Sequence, residues 1–337
     1  MLSQSRLEWF LIGLLVLYLF CRIAIGIAVR RWNWWRETRL IGVSIASLAV
    51  FLAAGLLWHR PMMALAGAPP SLIVTDLHSH TNVSHDVRNT LMRGYDAAAN
   101  LRWHRRAGFD AVFITDHNTV EGLGPPTRHP VRCPGIEISA WKAHIVLLGE
   151  SLPIDRSLYN GSLGELLALL QASHSSYGAL SLLSLPEYDR NHWQRLDTLV
   201  AAGADGFEIV NASPKAAEFS LAHRDSVVAL AWRANRFVAG VSDSHGWGAT
   251  SLAWNLIAAP GWRNSADPCS LILDRLRTGF ASNQIVERHH LRRASLWPLW
   301  LTPVGVTWEM WRSMGAPLLF SWLLWIWVVW TLQRTRL

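Results

Sequence analysis

Six short apolar runs punctuate the middle of this 337-residue chain, and most give way to a longer amphipathic stretch. The runs are SLIVTDLHSH, AVFITDH, AHIVLLG, ALSLLSL, GFEIVN and RFVAGVSDSH; between them lie NTLMRGYDAAANLRWHRRAGF, LGELLALLQASHSSYG, HWQRLDTLVAAGAD and EFSLAHRDSVVALAWRAN. Continuous apolar strands alternating with helices imply parallel strands covered by helices. That leaves an α/β barrel or an open doubly wound sheet. The polar residues choose the barrel, because clusters of His, Asp and Glu sit at the C-terminal ends of several strands. In a barrel those ends converge on one mouth, whereas an open sheet gathers its site at a switch point.

The clusters have the composition of a metal site. His78 and His80 are two apart at the end of the first run, so on a strand their side chains share a face, and Asp76 shares it deeper in the barrel, where a supporting role is expected. Asp243 and His245 repeat that spacing in SDSH. FITDHN adds Asp116 and His117, GIEIS adds Glu137, and AHIVLLG begins beside His144. Any one of these has an ordinary structural explanation. Together they bring imidazoles and carboxylates from about five strand ends, a donor set that suits Zn²⁺, Mn²⁺ or Fe better than a thiolate structural site.

In order and spacing, the series HxH (His78, His80), TDH (to His117), Glu137, His144 and DxH (Asp243, His245) resembles the PHP (polymerase and histidinol phosphatase) family of metal-dependent phosphoesterases. The match covers roughly residues 72–286. The resemblance implies a distorted TIM-like (β/α)7 barrel and two or three divalent ions. It implies that His78, His80, Glu137 and Asp243 hold one ion and that Asp86 or His85, with His117 and His245, holds another; Asp86 is preferred for its spacing after His80. Glu137 would bridge, and His144 would join it at a third position. The chain departs from the family at Leu185, which precedes Pro186 where a histidine ligand is expected. Either the third position is lost or Glu187 or His192 supplies the donor. A two-metal form is favoured.

The implied chemistry is ester hydrolysis by a hydroxide bridging two ions, since paired metals lower the pKa of a shared water and clamp an ester's oxygens. Asp243 is the expected proton acceptor. Asp116 is expected to orient a ligand imidazole from behind. Arg190 and Arg88 are candidates to hold a substrate phosphate. His104, His174 and His223 are read as solvated helix residues, and His289 and His290 as part of a surface patch. A catalytically decayed metal-binding sensor or scaffold on the same fold is the alternative, with Leu185 in its favour.

The flanks read differently. Apolar residues make up 51% of the chain and charged residues 16%, and 13 of the 20 Trp lie before Ser71 or after Arg293. Apolar runs near residues 9–29, 40–58 and 316–332 approach the length of a bilayer crossing. The sequence therefore predicts two transmembrane helices within 1–62, a linker at 63–71, a catalytic domain at 72–290, a Trp-rich interfacial or re-entrant segment at 294–312 and a third transmembrane helix at 316–332. Arginines between the first two runs and after the third place the catalytic domain outside a bacterial inner membrane by the positive-inside rule. The net charge of +7 is largely arginine beside these runs, so membrane lipid and a phosphorylated small-molecule or lipid-borne substrate are the expected partners, and nucleic-acid processing is disfavoured. Whether Cys133 and Cys269 pair is left open.

Overall fold

The computed structural model describes residues 4–28, 33–57, 64–88, 95–213, 219–246, 253–287, 301, 304 and 316–334. The chain divides into two compact units, Met1–Leu40 with His289–Leu337, and Ile41–Arg288.

The flanking helices are α1 (Gln4–Ala28), α2 (Trp34–Leu57) and, at the far end, α10 (Ala316–Arg334). Among the described residues no helix is long and apolar enough to cross a membrane. This overturns the expected transmembrane helices, the inner-membrane location and the extracytoplasmic placement that followed from them. Arg22 sits inside the first run, within α1, and its Nε donates to Glu37 of α2 at 2.7 Å, while Arg36, Glu37 and Arg39 occupy the first turns of α2 ahead of the second run. The expected interfacial segment at 294–312 lies outside the described residues, apart from Leu301 and Val304.

The larger unit is a mixed α/β, nearly closed barrel. In chain order it contains β1 (Leu72–Asp76), α3 (His85–Arg88), α4 (Ala97–Arg106), β2 (Ala111–Ile114), β3 (Val131–Ala140), β4 (Ala143–Leu148) and α5 (Leu163–Ser175). These are followed by β5 (Leu180–Leu183), α6 (Leu185–Asn191), α7 (Leu196–Ala201), β6 (Gly206–Asn211), α8 (Leu221–Arg233), β7 (Phe237–Val241), β8 (Ala253–Ala258), α9 (Pro268–Leu276) and β9 (Asn283–Glu287). The helices start where the sequence offers caps. Asp96 accepts from Ala99 N, Ser162 from Glu165 N, Ser220 from His223 N, and Asp267 from Ser270 N with Pro268 in the first turn. Each cap satisfies a backbone donor that the first helical turn leaves unpaired.

The sheet runs β7-β6-β5-β4-β3-β2-β1-β8-β9. All six runs named from the sequence become strands, but the all-parallel expectation fails at β4, which is antiparallel to both β3 and β5. The β3–β4 connection is a tight hairpin with Lys142 at φ 56°, so no helix intervenes to keep the strands parallel. The seven-strand expectation is also exceeded: β8 pairs antiparallel with β1, and β9 with β8. The seam beside β7 is closed mainly by side chains. Asn255 of β8 donates to Gly240 O at 2.7 Å and accepts from Gly240 N at 3.0 Å, and Asn283 donates to Val238 O. Gly240 is required there, because a Cβ would lie 2.6 Å from that of Ala253.

Alternating side chains fill both faces. Ile73, Phe113, Cys133, Val146, Leu182, Ala239 and Ile257 form one cluster with Ile272 and Leu276 of α9. Ile136, Ile138, Ile145, Leu183, Phe207 and Val238 pack on the other face against α5, α6, α7 and α8. Cys133 and Cys269 form a disulfide joining β3 to α9, with Cα atoms 5.5 Å apart. Residues 64–69 dock by Leu65 N donating to Ala107 O, and Leu65 and Ala68 pack on Val74, Phe109 and Trp254.

Candidate metal centre

The C-terminal ends of β1, β2, β3 and β7 meet at one mouth because the backbone continues to pair beyond the strands. Asp243 N donates to His78 O at 3.0 Å and His80 N to Ser244 O at 3.0 Å, which ties the segment after β7 to the segment after β1. His117 bridges Glu137 in the same way. Asp243 takes a left-handed φ of 45°, a conformation uncommon for a residue with a Cβ that tends to mark functional positions.

Four donor atoms converge here. His78 Nε2 lies 3.0 Å from His80 Nε2, 3.1 Å from Glu137 Oε2 and 3.6 Å from Asp243 Oδ1; His80 Nε2 lies 3.3 Å from Glu137 Oε2 and 3.2 Å from Asp243 Oδ1. His78, His80 and Asp243 each offer a donor atom within 4.8 Å of the other two, a group that could hold an ion, and the Glu137 carboxylate lies beside both rings. Two ring nitrogens facing each other at 3.0 Å, with carboxylates beside both, fit a shared cation.

A second group adjoins the first. Asp86 Oδ2 lies 2.5 Å from His245 Nε2 and 3.3 Å from His117 Nε2, and His80, Asp86, His117 and His245 together can hold an ion. Glu137 reaches both groups: its Oε2 is 3.2 Å from His117 Nδ1, and its Oε1 is 3.2 Å from His144 Nδ1. His117, Glu137 and His144 form a third possible group. The Nδ1 atom of His80 is buried without a hydrogen-bond partner, and the donor set is all nitrogen and oxygen, so the residues fit divalent cations.

Supporting contacts fix the rings. His78 Nδ1 lies 2.6 Å from Glu208 Oε1, and His245 Nδ1 donates to Asp243 O at 2.8 Å, so in each ring Nε2 is the atom left for a cation. Burial opposes charge on His78, but the Glu137, Asp243 and Glu208 carboxylates outweigh it and raise its pKa well above 6.5. Burial likewise opposes charge on His80, yet Asp243 and Glu137 push it up to about 10. Burial would raise the carboxyls of Glu137, Asp86 and Asp243, but the facing imidazoles hold all three below the usual carboxylate range. The cluster is a field of negative charge that calls for protons or metal.

The other expected residues are placed as follows. His85 is exposed, its ring 4.9 Å from that of His117, whereas Asp86 faces the donors. Asp116 is buried and accepts from Thr81 N at 2.5 Å and Thr81 Oγ1 at 2.7 Å, contacts that shape the loop after His80. Leu185 is buried in the core, and its N–H donates to Glu208 Oε2 at 2.9 Å. Of the proposed substitutes, His192 Nε2 is 3.2 Å from Trp141 O, and Glu187 is held by Arg190 and Asn191 while its charge helps to raise the pKa of His144. Arg190 is exposed and spent on that pair, and Arg88 ends α3 with its side chain outside the described residues. His289 and His290 also lie outside the described residues. His174 and His223 are half-exposed and pair with Asp205 and Asp189.

His104 departs from expectation, and Glu208 is a supporting residue beyond those expected. His104 is fully buried, because the inward face of α4 lies over β1 and not over solvent. Asp76 has the supporting role expected of it: its Oδ2 lies 2.8 Å from His104 Nε2, and its Oδ1 accepts from Ser242 N at 3.1 Å and His78 N at 3.4 Å. Glu208 was not singled out from the sequence, although a carboxylate in the middle of GFEIVN is the signal that could have found it. A β-bulge at Glu208/Val210 breaks the β6–β7 ladder beside it.

No family model matches the chain, and no curated protein matches it. Among solved structures it is similar to PsfC from Pseudomonas syringae PB-5123, at 18% identity and a TM-score of 0.45, over 72% of this chain and 98% of that one. It is also similar to an amidohydrolase from Chromobacterium violaceum solved with bound sulfate and no metal, at 17% identity and a TM-score of 0.36, over 51% of this chain and 87% of that one. Likenesses of this size leave the function to be read from the site.

Proposed function

We propose that the chain is a metal-dependent hydrolase of the PHP type acting on phosphate esters. The observation that carries the reading is the convergence of His78, His80, Glu137 and Asp243 next to Asp86, His117 and His245, with Glu137 reaching both groups. In the proposal the first four residues hold one divalent ion, and Asp86, His117 and His245 with Glu137 hold a second. Bound ions of this kind bring the pKa of water toward neutrality and polarise ester oxygens.

The protein's own part is orientation. Glu208 takes the Nδ1 proton of His78 in a hydrogen bond, and the Asp243 carbonyl does the same for His245. Asp243 is assigned as a ligand, since its Oδ1 lies 3.2 Å from His80 Nε2 and 3.6 Å from His78 Nε2. The resemblance in motif order supports a phosphate ester as substrate.

The test is turnover of p-nitrophenyl phosphate and bis(p-nitrophenyl) phosphate by protein loaded with Mn²⁺ or Zn²⁺. The reading expects hydrolysis that is lost in His78→Ala. Cleavage of amides alone would move the substrate class, and bound metal without any turnover would favour the sensor.

A further inference from the structure

Helix α4 carries no expected ligand, yet two of its side chains end on the segments that do. Asn100 and His104 are one helical turn apart, so they share a face, and both are fully buried. Asn100 Nδ2 donates to Ser79 Oγ at 2.6 Å and to His80 O at 2.8 Å. His104 Nδ1 donates to Asn100 O at 2.9 Å, and its Nε2 meets Asp76 Oδ2 at 2.8 Å. The other oxygen of Asp76 accepts from Ser242 N at 3.1 Å and from His78 N at 3.4 Å. Two adjacent turns of one helix thus reach the backbone at His78 and His80 and, through Asp76, the residue before Asp243.

We propose that Asn100 and His104 are positioning residues, which hold the His78–His80 segment against the Asp243 segment in the geometry that a cation needs. The inference rests on the metal reading above. A purely structural core has little use for this pair. The Oδ1 of Asn100 is buried without a hydrogen-bond partner, and His104 packs beside the rings of Trp103 and Phe109, where an aliphatic side chain would pack without desolvating an imidazole. What the polar pair adds is direction: each donor has one acceptor position, and every acceptor belongs to the β1 end, to α4 itself or, through Asp76, to the β7 end.

The test uses Co²⁺ alone as probe, titrated into the metal-free full chain, with the visible ligand-field bands reporting geometry and circular dichroism confirming that each variant is folded. Asn100→Ala and His104→Leu should weaken Co²⁺ binding by about 10- to 100-fold and alter the bands, as loss of outer contacts to ligands does. His104→Gln, which keeps an N–H toward Asp76, should recover much of the loss, and Arg102→Ala on the exposed face of α4 should match the wild type. In the wild type, Co²⁺ loading should also slow amide hydrogen exchange in α4, a readout that needs no variant. Folded variants with unchanged affinity and bands, or α4 exchange indifferent to Co²⁺, would overturn the clamp alone. A wild type that takes up no Co²⁺ overturns the metal reading and the clamp with it.

Discussion

Replacing Glu208 probes the metal centre without touching a ligand. Glu208→Ala removes the carboxylate 2.6 Å from His78 Nδ1 and strands two donors, the Leu185 N–H and the Asn211 amide, that the other oxygen accepts at 2.9 and 2.8 Å. Loss of a partner that orients a ligand imidazole costs about 10- to 100-fold in metal affinity. At about 1.4 kcal/mol per factor of ten, that is roughly 1.4–2.8 kcal/mol. The folded state should lose about 1–3 kcal/mol for each stranded buried donor, offset in part because burial already disfavours the Glu208 carboxylate, whose pKa is raised. Glu208→Gln offers one acceptor oxygen to donors that now use two, so its effect should fall between Ala and the wild type. Zn²⁺ affinity, read by competition with a chromophoric chelator, decides the matter. If Glu208→Ala binds Zn²⁺ as tightly as the wild type, the role given to Glu208, and the orientation of His78 built on it, is refuted.

Three further outcomes are expected. The pKa of His80 in the metal-free protein is raised from 6.5 to about 10 by the same carboxylates a metal would use, so protons and metal compete. The protonated imidazole stabilises the metal-free fold fully below pH 6.5, and that contribution is lost as pH rises toward about 10; the metal-induced rise in melting temperature should grow over the same window, measured by calorimetry across pH. Cys133 and Cys269 are 136 residues apart, and cutting a loop of that size should cost about 2–5 kcal/mol, read as a lower urea midpoint for Cys133→Ala/Cys269→Ala. Leu185→His should destabilise the fold by about 2–5 kcal/mol without adding an ion, because the Leu185 side chain is in the core; an additional equivalent of bound metal by elemental analysis would contradict that placement.

The candidate metal centre was legible because its possible donors are polar residues at the ends of apolar runs, where a strand-to-loop switch leaves few other uses for them. His78, His80, Asp86, His117, Glu137, His144, Asp243 and His245 come together at one mouth. What supports them was harder to see. Glu208 and Asn255 lie inside strands that read as ordinary core, and their partners are distant in sequence. His104 sits beside Arg105 and Arg106, which made its helix look solvated, and only the docking of α4 over β1 shows which face is inward. The antiparallel β4 and the added β8 and β9 have no local signature, since apolar alternation does not encode strand direction. The flanks misled for the opposite reason: apolar composition is a strong signal, but it did not anticipate Arg22 pairing with Glu37 across α1 and α2.

Anomalous diffraction from crystals of the protein loaded with Zn²⁺ or Mn²⁺ would locate the ions themselves. One peak is expected among His78, His80, Glu137 and Asp243 and a second among Asp86, His117, His245 and Glu137, with Glu137 contacting both. Full loading with no peak at the first position, or a single ion held elsewhere, would contradict that arrangement.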